Sequence, residues 1–312
     1  SLGWYVSMIL DITSLSQKQI NKSGKRFRDS IQEDNDYEIL EQFKKSYDEI
    51  LIKYSSEVSE LLTSQNFNFV MAGRLKRTSS IIRKLQRPNN HGMDLTRMSD
   101  ISGTRIIVQD LKTQNDIISK IKDNFNLDRE YDYRKSEQNY RSVHLVIKDD
   151  KNKYFEIQIR TLAQQTWADE SEEFGEHAKQ GFYSDQVGEY LSMLSDIVYK
   201  IDNKIAHDLD KIDNHLYDLK SPIKGKYQII QNEFNMKFNL FEKPNYYLVV
   251  YDSLDSTLVS KDNFELHEKN KIFELYKYKS KILDENRFEI IFFVSSLGDN
   301  VLRVSHPRFF IR

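Results

Sequence analysis

The 312-residue sequence contains no cysteine, which excludes disulfides, thiolate nucleophiles and cysteine-ligated zinc and weakly favours the cytoplasm. It has no run approaching the roughly 18 consecutive apolar residues of a membrane span. Its opening SLGWYVSMIL carries no basic leader before the short apolar stretch, so a soluble, unexported, cytoplasmic protein with no membrane partner is expected. It lacks an excess of either charge: 46 basic against 48 acidic residues give a net −2, which argues against a general nucleic-acid binder. It shows neither an internal repeat nor a low-complexity tract. What is present is a polar but aromatic-supplied globular composition, 39% hydrophobic and 30% charged with 18 Phe and 18 Tyr, long enough for about two domains. The chemistry left open is acid/base, phosphate and Mg²⁺ chemistry.

Charge is uneven along the chain. Between Leu61 and Met93 stand six basic residues, Arg74, Lys76, Arg77, Arg83, Lys84 and Arg87, with no acidic one, a composition suited to an anionic ligand. Apolar positions recurring at three- and four-residue steps over 37–62 predict an amphipathic helix. Residues 14–30 read as a helix or arm ending in Lys25, Arg26 and Arg28. A strand over 67–71 turns through Gly73 into a basic loop and a helix starting near Thr78 to Ser80. A turn at Asp100 enters a strand ending at Val108, a helix covers 112–124, and strands 141–148 and 154–160 form a hairpin around the charged turn 149–152. Alternation puts Phe155, Ile157 and Ile159 on one face and Glu156, Gln158 and Arg160 on the other. Helices are expected over 161–179 and 185–209, and turn formers at 221–225 place a boundary near 215–230. Beyond it the pattern restarts with strand 246–251, helix 264–279, strand 288–295 and an apolar segment 309–311.

Three blocks carry the chemistry. The first is Gly73-Arg74-Leu-Lys76 with Ser80 and Lys84; the second is Asp100-Ile-Ser-Gly103-Thr-Arg105; the third is Tyr140-Arg141-Ser-Val-His144, followed by Glu156-Ile-Gln158-Ile-Arg160-Thr161 and Trp167-Ala168. A guanidinium, two ammonium groups and a hydroxyl near a helix start would line a triphosphate. Phosphoryl-type transfer also needs a divalent metal and a group that takes the proton of the attacking hydroxyl, and Asp100 and Glu156 answer that need.

In order and spacing these blocks resemble the synthetase (nucleotide pyrophosphokinase) region of the RelA/SpoT family over roughly residues 67–173. The resemblance implies a synthetase that moves the β,γ-pyrophosphate of ATP to the ribose 3′-hydroxyl of GDP or GTP. It implies Arg74, Lys76, Ser80, Lys84 and Arg105 as the ATP site, with adenine between Arg74 and Arg105. It implies Asp100 as a Mg²⁺ ligand, Glu156 as metal ligand or proton acceptor, and Tyr140 as the platform for the acceptor base. Arg141, His144, Gln158 and Gln165 would line the acceptor pocket, with His144 binding a phosphate or buttressing the loop.

Two departures bear on the acceptor. The family commonly has a Pro-Lys pair and a Gly before the tyrosine, where this chain runs Arg134-Lys135-Ser-Glu137-Gln-Asn139-Tyr140, and Asp169-Glu170-Ser171-Glu172 replaces the family's Glu-His pair. The hydrolase signature of bifunctional members is missing, since His207-Asp208 has no Glu-Asp partner, so a synthetase without hydrolase activity is expected. The altered loop and the basic segment 22–28 permit an alternative, a toxin-like synthetase that modifies the tRNA 3′ end or adenosine nucleotides. A third reading is a nucleotide-binding sensor controlled by the C-terminal unit. The expected architecture is α/β (α+β). Residues 1–65 form helices packing on the rest; 66–220 form a mixed β-sheet flanked by helices, nucleotidyltransferase-like; and 221–312 form a small α/β domain. That last unit would bind a partner, support a homo-oligomer or regulate activity.

Overall fold

The computed structural model describes residues 15–135, 139–174, 185–207 and 244–295. Its frame is one mixed sheet of eight strands in the order β3-β4-β5-β2-β1-β8-β6-β7. The strands are β1 (Val70–Leu75), β2 (Ser102–Val108), β3 (Leu127–Asp132), β4 (Val143–Lys148), β5 (Tyr154–Thr161), β6 (Asn245–Asp252), β7 (Thr257–Glu265) and β8 (Phe288–Ser295). Among the described residues, only the β2–β5 pair is parallel. Among the described residues, the helices longer than one turn are α1 (Gln17–Arg28), α2 (Asp34–Lys45), α3 (Asp48–Ser64), α4 (Thr78–Leu85), α5 (Leu111–Asn124), α6 (Leu162–Glu173), α7 (Asp185–Asp202) and α8 (Lys269–Ile282).

Each face of the sheet is set by strand alternation. Met71, Ile106, Leu145, Ile157, Leu248 and Phe292 point to the face covered by α1–α5 and α8 and join Phe27, Leu40, Val58, Ile117 and Phe273 in the main core. Val70, Ala72, Ile107, Val249, Ile291 and Phe293 point to the opposite face. There α6 and α7 pack on each other through Trp167, Tyr190, Leu191 and Val198 and cover only part of the sheet. Full burial of each such side chain contributes about 1.5–3 kcal/mol.

Several elements differ from the sequence reading. The single helix expected over 37–62 is two. Ser46 Oγ donates to the Phe43 carbonyl at 2.5 Å and the Tyr47 amide reaches back to Lys44 at 3.0 Å, so a tight turn interrupts the helical ladder. Strands β3 and β7 were not anticipated: most of β3 is exposed and β7 is largely so, so neither carries a clear apolar alternation. Phe264, expected to open a helix, belongs to β7, and α8 starts at Lys269. Helix α7 ends at Asp202 rather than 209; His207 follows it in an exposed, irregular stretch, and Asp208 lies outside the described residues. The boundary segment 215–230 and the apolar segment 309–311 also lie outside them.

The C-terminal strands continue the sheet instead of forming one of their own. Strand β8 pairs with β1 from Val70↔Ser295 to Gly73↔Phe292, and with β6 on its other side. Polar clamps add to this junction: buried Lys44 of α2 pairs with Glu285 of the turn before β8, and Thr78 at the start of α4 donates to Glu285 and Glu41. Among the described residues, no helix is long and apolar enough to cross a membrane.

Candidate active site

The site lies on the sheet face that α6 and α7 leave partly open, at the end of β1, β2 and β5. Antiparallel pairing of β1 and β2 sets Arg74 opposite Gly103 and Ala72 opposite Arg105. Cross-strand partners share a face, so Arg74 and Arg105 project from the same side as diagonal neighbours. Parallel pairing sets Gly103 beside Glu156 and Arg105 beside Gln158. These residues, with Lys76, Asp100 and Thr104, line a cavity of about 110 Å³ floored by Ala72, Gly103 and Ile291.

Asp100 sits between two lysines. Its Oδ2 accepts from Lys76 Nζ at 3.1 Å and lies 2.9 Å from Nζ of Lys84, in the last turn of α4. Burial opposes ionisation of Asp100, but the two ammonium charges outweigh it and hold the carboxyl well below the ordinary carboxylate range. Burial correspondingly pulls Lys76 below its ordinary value, with Asp100 opposing. The other oxygen, Asp100 Oδ1, is buried with no hydrogen-bond partner. An orphaned carboxylate oxygen on the wall of a polar cavity fits a cation, and Mg²⁺ is commonly held by one or two carboxylates together with phosphate oxygens and water.

Glu156 opens a hydrogen-bonded line. Its Oε1 lies 3.1 Å from His144 Nδ1 and its Oε2 accepts from Gln158 Nε2 at 3.0 Å. His144 Nε2 and the Tyr140 hydroxyl are 2.7 Å apart, and Arg160 Nη2 donates to that hydroxyl at 2.7 Å. The register that pairs His144 with Gln158 and Val146 with Glu156 builds this line from alternate residues of β4 and β5. Burial would raise the Glu156 carboxyl, but His144 holds it below its ordinary value. Burial would lower His144, but Glu156 and Tyr140 raise it. Burial would raise Tyr140, but the charges of Arg160 and His144 bring it down to about 8.

The sequence-derived site is thus brought together in part. Arg74, Lys76, Asp100, Arg105, Glu156 and Gln158 line one cavity, Lys84 reaches it through Asp100, and His144 and Tyr140 reach it through Glu156. Ser80 does not line it; its hydroxyl accepts from Arg83 Nη2 at 3.2 Å. Gln165 is buried behind the site, accepting from Arg160 at 2.9 Å and donating to Asp169 at 2.8 Å. Arg141 turns away, donating to the Arg134 carbonyl at 2.5 Å and lying over the Tyr199 ring at 5.2 Å. Tyr140 packs edge-on against Tyr133, His144 and Trp167, so its hydroxyl belongs to the polar line while its ring joins an aromatic cluster. Of the basic segment 22–28, Arg26 is paired with buried Asp36 and Arg28 with the Met93 carbonyl, leaving Lys22 and Lys25 exposed.

Three contributors were missed. Arg160 was legible, since alternation put it on the face of Glu156 and Gln158. Tyr133 precedes Tyr140 by seven residues without a pattern linking them, and Glu289 on β8 was marked only by being a carboxylate inside the apolar run FEIIFFVS.

Mixed sheet, clustered cations and paired carboxylates together define an α/β protein with a cation-rich pocket that also holds two carboxylates. Residues 73–179 match the model of the region found in RelA/SpoT proteins. The chain is 29% identical over 178 residues to GTP pyrophosphokinase YjbM of Bacillus subtilis, covering 54% of this chain and 77% of that protein. Among solved structures it is similar to the small alarmone synthetase 1 from Bacillus subtilis, at 23% identity and TM-score 0.45 over 57% of this chain and 98% of the other. It is also similar to a GTP pyrophosphokinase family protein from Streptococcus pneumoniae, at 25% identity and TM-score 0.42 over 54% and 89%.

Proposed function

We propose that this transferase of the GTP pyrophosphokinase type moves the β,γ-pyrophosphate of ATP to the ribose 3′-hydroxyl of GDP or GTP and has no alarmone hydrolase activity. The observation that carries this reading is the convergence of Asp100 and Glu156 on one cavity walled by Arg74, Lys76 and Arg105. Arg74 and Arg105, projecting from one face over Ala72, Gly103 and Ile291, suit a planar base and its phosphates. Lys76 and Lys84 hold Asp100 ionised and add positive charge where the phosphates would lie. Asp100, through its unpartnered oxygen, and Glu156 would hold Mg²⁺, which when bound neutralises charge on the transferring phosphates.

In the proposed step the acceptor 3′-oxygen forms a bond to the β-phosphorus of ATP, the bond from that phosphorus to the α-phosphate bridge breaks, and AMP leaves. Glu156, kept ionised by His144, is placed to take the proton of the attacking hydroxyl. Tyr140 and Arg160 fix the tautomer and tilt of His144 from behind. The cytoplasmic setting and self-association expected from the sequence are part of the same proposal.

The test is product analysis with labelled ATP and Mg²⁺ against GDP, GTP, ATP alone and bulk tRNA, beside Glu156→Gln. Product formed with guanosine nucleotides and lost in the variant is the expected result. No 3′-pyrophosphorylated product from ATP-binding protein would reject the reading, and label on RNA or on adenosine nucleotides would move the acceptor.

A further inference from the structure

The donor strand β1 is central in the sheet, with β2 on one side and β8 on the other. From β2 it receives Arg105 and Gly103; from β8 it receives Ile291, which floors the cavity, and Glu289, one position further along the same face. The Glu289 side chain is only 4% exposed, and it pairs with both Arg74 and Arg77. Arg77 also donates to Ser253 Oγ, in the turn after β6, at 2.9 Å. A carboxylate buried in an apolar strand is costly unless paired, and here two cations pair it.

The two arginines are 37% and 34% exposed, so their charged ends stay near solvent while the carboxylate beneath them is fixed by the sheet. Such a pair confers orientation more than stability. A guanidinium is a planar fork with five donors, more than one carboxylate engages, and its direction is set by whichever group holds one edge. Glu289 holds Arg74 from β8, on the side of β1 opposite to β2, which carries Arg105.

We propose that Glu289 is a positioning residue of the donor site: by holding Arg74 and Arg77 it stands Arg74 as one wall of the nucleotide slot, which makes β8, outside residues 73–179, part of the nucleotide-binding apparatus. This rests on the reading of the Arg74–Arg105 cavity as the ATP site. It gives the C-terminal portion a role in substrate binding through the sheet itself.

The test is equilibrium binding of ATP with Mg²⁺, and of GDP, to the full chain and to Glu289→Gln and Glu285→Gln. Glu285 lies in the same segment and is also paired, with Lys44 and Thr78, but has no contact with Arg74, so its variant reports general loosening of the C-terminal portion. Glu289→Gln is expected to weaken ATP binding about tenfold, the size of one lost charge-assisted contact, with GDP binding unchanged. In turnover, KM for ATP should rise with kcat retained, and Glu289→Asp should recover part of the loss. Equal ATP affinity in the unaltered chain and Glu289→Gln would overturn the role of Glu289 alone. Equal weakening by both variants would overturn it in favour of a merely structural pair. Absence of ATP binding by the unaltered chain would overturn the donor reading and this one with it.

Discussion

Gly103 and Glu156 face each other across the parallel β2–β5 pair so closely that a β-carbon on Gly103 would lie 2.6 Å from the Glu156 carbonyl oxygen. That contact is with backbone, which cannot rotate away, so any side chain at 103 must part the two strands where Glu156, the proposed proton acceptor, is mounted. Gly103→Ala is expected to cost about 1–3 kcal/mol of stability, the usual range for overpacking, and to reduce turnover more than ATP binding. Urea unfolding alongside kinetics checks this; unchanged stability would show that the strands separate freely.

Glu156→Gln keeps the size of the side chain and removes its basicity. Turnover should fall by on the order of 10²–10⁴, the range for loss of a general base, while ATP affinity stays within a few-fold. Asp100→Asn should act differently: it removes the counter-charge of Lys76 and Lys84 and the oxygen proposed for the cation. Its turnover should require more Mg²⁺, read as a rightward shift of the Mg²⁺ dependence, and an unshifted dependence would remove Asp100 from the metal site.

Tyr140 should titrate near pH 8, ahead of tyrosines with ordinary values near 10. Its folded value lies below its unfolded one, so the stability it contributes is fully present above about pH 10 and is lost as pH falls through about 8. Relative to Tyr140→Phe, the parent protein should therefore gain stability between pH 8 and 10. Ultraviolet difference titration should show one early tyrosinate in the parent that is missing from the variant; identical curves would contradict the Arg160–Tyr140–His144 line.

Asp202 on α7 accepts from Thr161 Oγ1 and Gln164 Nε2, both at 3.0 Å, and so ties α7 to the first turn of α6. Burial pushes its carboxyl up to about 6, against those two hydrogen bonds. Here the folded value is the higher one, so the contribution is complete below the unfolded value of about 3.9 and is lost as pH rises through 6. Asp202→Asn, which keeps an acceptor for both donors, should be more stable than the parent at pH 8, with the gap narrowing at pH 5. Denaturant midpoints at the two pH values decide it.

The site was more legible than the frame around it. Strand alternation alone placed Glu156, Gln158 and Arg160 on one face, and the Asp100 block carried the close-approach glycine and the diagonal arginine. The sequence reading failed where local pattern is absent. Strand β3 is mostly exposed, so its residues Asp128, Arg129 and Glu130 carry no apolar signal. Ser80 was assigned to the phosphates from its place near a helix start, but it is not among the residues lining the cavity. Likewise, nothing within 288–295 announces that Glu289 will meet Arg74, because their proximity is created by the pairing of two strands more than two hundred residues apart.

The pairing of β8 with β1 also fixes how the gene can be cut. A fragment ending where the family region ends would uncover one side of β1 and leave the main-chain amides and carbonyls of residues 70–73 without their β8 partners. Such an uncovered, apolar strand edge is a template for joining other chains, so the shortened product should aggregate on expression, and a usable minimal version must retain residues 288–295.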